Sequence, residues 1–104
     1  MILSIKERIT LLGILPQKGS IIETVIIKSL IAKIDLLPLE IEKYGIKENE
    51  GVVSWTQDLQ KDIYFNTSEL SMLKNIVAQL DLNKAITLDN IDLCVKIRDY
   101  AGNI

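Results

Sequence analysis

The sequence predicts an α+β domain, mainly helical, with about five helices and a central β-hairpin, on three observations. Apolar residues recur at helical spacing in segments that open on Ser or Asn with Glu three residues later: Ser4/Glu7, Ser20/Glu23 and Asn66/Glu69. In that arrangement each side chain satisfies a free backbone N–H of the first turn. Between Val52 and Asn66 the spacing changes to alternation, the period of a strand. Finally, 104 residues that are 48% hydrophobic suffice for one core and not for two. Residues 1–104 are therefore expected to form a single globular domain.

The first helix starts at Ser4, with Ile5, Ile9 and Leu12 on its apolar side and Lys6, Glu7, Arg8 and Thr10 on the other. Gly13 and Pro16 end it, and Pro16-Gln17-Lys18-Gly19 is a turn. The second helix runs from Ile21 to about Asp35 and is apolar almost all the way round. Such a helix is expected either at the enclosed centre of the domain or shared with a second subunit. Pro38 suits the first turn of a short third helix, which Gly45 closes.

Val53 and Trp55 alternate with Val52, Ser54 and Thr56, and Ile63 and Phe65 alternate with Asp62, Tyr64 and Asn66. The two runs, joined by Gln57–Lys61, predict a hairpin, with Ile46-Lys47 as an edge strand beside it. Four of the five aromatics lie between Tyr44 and Phe65, so the large rings are expected to pack there, Trp55 inward and Tyr64 outward. After Asn66 comes a helix faced by Leu70, Leu73, Val77 and Leu80, then a turn at Asp81–Lys84. Thr87 is expected to cap the last helix, with stripes Leu88/Ile91/Val95 and Leu93/Ile97/Tyr100, before a frayed end at 101–104.

Composition then narrows the function. The chain has no histidine, one cysteine and five scattered glycines. That removes the commonest general base, the Ser-His and Cys-His pairs, His-containing metal sites, disulfides within the chain and glycine-rich phosphate loops. Cys94 stands between Leu93 and Val95 and reads as a core thiol. Carboxylate pairs such as Glu40/Glu42, Glu48/Glu50, Asp58/Asp62 and Asp89/Asp92 read as solvated charge. Accordingly no catalytic residue, cofactor site or metal site is expected, and the chain is not read as an enzyme.

Twelve basic residues against fourteen acidic ones leave no electrostatic footprint for nucleic acid. Three helices followed by a hairpin is nonetheless the chain order of a winged helix, which keeps a nucleic-acid-binding regulator as the alternative. Against it, Glu40 and Glu42 would face the phosphates. The most apolar stretch, Ile21 to Ile34, is broken by Glu23, Lys28 and Lys33 and is shorter than the roughly 20 residues that span a bilayer. Lys6, Glu7 and Arg8 interrupt any secretory signal. A cytoplasmic protein is expected.

Several local motifs coincide with those of one group. They are Leu11-Leu12-Gly13-Ile14-Leu15-Pro16 after a charged first helix, Tyr44-Gly45-Ile46-Lys47 before the hairpin, and Val53-Ser54-Trp55 within it. Leu80-Asp81 with Lys84, and Ile86-Thr87-Leu88, complete the set. From Ile5 to Tyr100 the chain thus resembles a group of short phage and prophage proteins. The resemblance implies a small protein made in the cytoplasm of a bacterial host and assigns no catalytic residue. The expected function is that of a non-enzymatic accessory protein working through a protein partner or a second copy of itself. Ile22, Ile26, Ile27, Leu30 and Ile31 of the second helix, with Tyr64, are its candidate interface.

Overall fold

The computed structural model describes residues 1–101. It places β1 (Ile2–Leu3), α1 (Ile5–Ile14), α2 (Ile21–Ile34), α3 (Pro38–Lys43), β2 (Lys47–Asn49), β3 (Val52–Ser54), β4 (Lys61–Asp62), α4 (Thr67–Leu82) and α5 (Ile91–Asp99) in that order. The α+β, mainly helical reading stands, with a different division of labour. Among the described residues four helices of nine to sixteen residues build the body, whereas α3 has six residues, all at least partly exposed. From Gly102 onward the expected frayed end lies outside the described residues.

The three predicted capping boxes all form. Glu7 N–H donates to Ser4 Oγ (3.1 Å), Glu23 N–H to Ser20 Oγ (3.1 Å) and Glu69 N–H to Asn66 Oδ1 (2.8 Å), each answered by the glutamate accepting from the cap residue's N–H. α3 opens with Pro38 and ends before Gly45, whose φ of +61° is the left-handed turn expected of it. The last helix differs. Its cap is Asn90, and Thr87 forms instead a reciprocal pair with Asn90 one turn earlier (Thr87 N to Asn90 Oδ1, 2.8 Å; Asn90 N to Thr87 Oγ1, 3.3 Å). Leu88 thereby stays in that turn, almost fully exposed, outside any stripe.

The predicted hairpin pairing is corrected. The Val52 run pairs with Lys47–Asn49, and the Ile63 run pairs through β4 with the N-terminal strand β1. Both ladders are antiparallel: Asn49 opposes Val52 in the first, and Ile2 opposes Asp62 and Leu3 opposes Lys61 in the second. Glu50 and Gly51 both have positive φ, 52° and 80°, the conformation of a two-residue hairpin turn matched to strand twist. That short closure needs less ordered chain than a turn across Gln57–Lys61. The apolar start of the chain supplies the other partner, because Leu3 is fully buried and draws β1 onto the body.

The core is aliphatic, as composition implied. Leu3, Leu11, Leu15, Leu30, Ile34, Leu73, Val77, Leu93 and Ile97 pack together with Phe65 as the one fully buried ring. Tyr64 is exposed, on the outward side where alternation placed it, whereas Trp55, expected inward, is only half-buried. Arg8, read from the sequence as a surface residue, is completely buried. α2 is not enclosed: only Ile27, Leu30 and Ile34, at i, i+3 and i+7, enter the core.

Candidate interaction surface

The reason α2 is only half-covered lies in its own composition. Successive helical residues turn by about 100°, so Ile27, Leu30 and Ile34 share one stripe and Ile21 and Val25 stand on nearly the opposite side. Neighbouring elements cover the first stripe along its length and reach the opposite side only near Ser29, which bonds Glu69, leaving the N-terminal turns there open. Ile21, Ile22 and Val25 are 86%, 74% and 63% exposed. The Ser20 box fixes the first turn, which therefore presents Ile21 and Ile22 in a rigid frame rather than as a frayed end. Three β-branched residues thus stand uncovered together at the start of one ordered helix.

The sequence-predicted residues divide as follows. Ile27 and Leu30 belong to the core of this chain, and Ile26 is half-buried against it. Ile22 is open, Ile31 is partly open on the other flank, and Tyr64 is 70% exposed. Tyr64 is brought beside α2 by Lys33, whose Nζ lies 5.6 Å from the ring centroid and donates to Tyr64 O at 3.1 Å. Lys33 and Ile22 are eleven residues apart, about 16 Å along a helix. Ile22 and Tyr64 are therefore at opposite ends of the element and do not form one patch.

Beneath this surface a polar clamp holds α2 to α4. Glu69 is buried and accepts from Ser29 Oγ (2.6 Å), Lys33 Nζ and Asn66 N–H (2.9 Å). Burial pushes the Glu69 carboxyl upward, but these donors outweigh it and hold the group below its ordinary value. A second clamp, absent from the sequence reading, joins α1 to α3. Arg8 Nη1 and Nη2 donate to the two oxygens of Glu40, both at 2.9 Å, while Nε and Nη2 also donate to Ile34 O and Asp35 O at 2.9 and 2.8 Å. The guanidinium beside it, helped by the Leu37 N–H, holds the Glu40 carboxyl down at about 2. The signal that could have revealed Arg8 is its position: it falls between Ile5, Leu11 and Leu15 on the side of α1 that is buried.

The remaining reactive group is quiet. Cys94 lies in the wall of a pocket of about 240 Å³ between α4 and α5, and burial raises its thiol pKa, which favours the inert thiol over the thiolate. Among the described residues no three His, Cys, Asp or Glu side chains gather to hold a metal ion, and no helix is long and apolar enough to cross a membrane. Glu40 and Glu69 are each tied to a cation of their own chain, Arg8 and Lys33 respectively. Comparison with protein-family models, curated proteins and solved structures finds no match.

Proposed function

We propose that the chain is a small non-enzymatic accessory protein of phage type that acts by binding protein, with the outward side of α2 as its contact surface and self-association as its simplest use. The observation that carries this reading is the exposure of Ile21, Ile22 and Val25 on a capped helix whose opposite side is fully packed. Isoleucine and valine desolvate at about 25 cal/mol per Å² of apolar surface, so covering this side rewards association. Both clamps are occupied by their own chain, which favours binding over catalysis as the task of the fold. The resemblance to short phage and prophage proteins supports a role in the bacterial cytoplasm during or after infection.

Sedimentation velocity across micromolar concentrations tests the reading. The native chain is expected to sediment as a concentration-dependent oligomer, and the double variant Ile22→Lys, Val25→Lys as a monomer with unchanged circular dichroism. A native chain that stays monomeric throughout that range removes self-association. A variant that associates like the native chain moves the contact away from α2.

A further inference from the structure

Between Pro38 and Gln60 the chain leaves the helical body and holds itself together. Ile46 N–H donates to Ile41 O (3.0 Å), and both the N–H and the Oγ1 of Thr56 donate to Tyr44 O (2.9 and 3.1 Å). These bonds fold the β2–β3 hairpin back onto α3 about Gly45. From Asp35 through Asp62 every residue is at least partly exposed, so the segment contributes nothing to the buried core.

The polarity of α3 is inverted. A surface helix ordinarily turns its apolar side inward. Here the inward residue is Glu40, and Leu39 is 78% exposed. What docks the segment is the Arg8–Glu40 fork, with a longer bond from Ile5 N–H to Asp58 Oδ1 (3.4 Å) beside it. Charge-assisted bidentate pairs are strong and directional, yet when the carboxylate leaves no residue of the buried core leaves with it. Arg8 would keep Ile34 O and Asp35 O when Glu40 leaves, so the body loses little.

We propose that residues 38–60 form a local unfolding unit latched by Arg8 and Glu40, which opens cooperatively, losing its own hydrogen bonds, while the helical body stays folded. The inference stands on residues other than the α2 surface and holds whether or not the chain self-associates.

Native-state hydrogen exchange on the full chain tests it, with Glu40→Gln and Arg8→Met as a pair. Glu40 Oε1 also accepts from Leu37 N–H, so the first variant weakens the cap of α3 as well as the latch, whereas the second leaves that cap in place. In both variants the amides of Ile46 and Thr56 are expected to exchange about 10- to 100-fold faster, together, with Leu73 and Leu93 in Glu40→Gln within about threefold of native. Three results would overturn the latch. They are unchanged exchange in the unit, acceleration confined to Ile41–Tyr44 in Glu40→Gln, and equal acceleration of unit and body in that variant.

Discussion

Arg8 and Glu40 meet as a two-pronged fork, each N–O distance 2.9 Å, across the gap between α1 and α3. The two partners are not equivalent. Arg8 is completely buried and also binds the last carbonyls of α2, whereas Glu40 has its outer edge in water. Arg8→Met is therefore expected to lower the unfolding free energy by about 2–4 kcal/mol, because it strips hydrogen bonds from Ile34 O and Asp35 O in addition to the ion pair. Glu40→Gln should cost about 1–2 kcal/mol less than that, since its loss is met by hydration of the fork. Urea unfolding of both variants reads the difference; equal losses would mean that Arg8 acts through Glu40 alone.

Acid should unfold this protein, and the sign follows from the carboxylates. Glu40 is held near 2 against an ordinary 4.5, and Glu7 and Glu69 are also lowered. A group whose pKa is lower in the folded chain binds protons preferentially in the unfolded one. Its stabilisation is complete above about 4.5 and drains away as pH falls toward 2. Glu40 contributes at most about 3 kcal/mol, reduced by the solvent that reaches it. Thermal melts should be level between pH 7 and about pH 5.5 and decline steeply below about pH 4.5, with Glu40→Gln and Glu69→Gln each flattening the decline. A midpoint that rises on acidification would contradict the assignment.

Helix starts were legible because their chemistry is local. Ser4, Ser20 and Asn66 each find their partner three residues away, so the pattern in the sequence is the structure. Strand partners were not, because pairing depends on which distant segment arrives. Ile63 donates to Met1 O across the whole first half of the chain, and no alternation within 52–66 announces that. The burial of Arg8 was hidden for a related reason: a buried guanidinium requires a partner, and Glu40 lies thirty-two residues on. The α2 surface was half-legible. An all-round apolar helix flags itself, yet which side the body covers is decided by where α1 and α4 pack.

Gly45 and Gly51 separate backbone strain from steric room. Both have positive φ, but a Cβ on Gly45 would stand 2.6 Å from Thr56 Oγ1, while a Cβ on Gly51 meets nothing within 4 Å. Gly51→Ala should cost about 1 kcal/mol from the left-handed backbone alone. Gly45→Ala should cost roughly 1–2 kcal/mol more, because the Thr56 hydroxyl must leave Tyr44 O to make room. Combining Gly45→Ala with Thr56→Gly should recover the steric part, which chemical denaturation of the three variants can resolve.

Cys94 is expected to be silent until the protein opens. Its sulfur is buried, lies 3.8 Å from Asn90 Oδ1, and has its thiol pKa raised by burial. Reaction with a disulfide reagent at pH 8 should be on the order of 100-fold slower in the native protein than in urea, and should follow the unfolding equilibrium. Fast labelling of the native chain would mean that the α4–α5 pocket admits the reagent and delivers it to the thiol.

The two sides of α2 should respond to substitution in opposite measurements. Leu30 is fully buried among core residues, so Leu30→Ala removes packed methyl groups and leaves a cavity, at a loss of about 2–5 kcal/mol in unfolding free energy. Val25 projects to solvent, and Val25→Ala should change the unfolding free energy of the monomer by no more than about 0.5 kcal/mol, part of it gained from the better helix propensity of alanine. If the outward side is a contact surface, the order inverts in an association assay. There Val25→Ala weakens self-association while Leu30→Ala, measured where it remains folded, leaves it intact. Unfolding monitored at two protein concentrations separates the cases, because only a residue that stabilises an oligomer makes the midpoint depend on concentration.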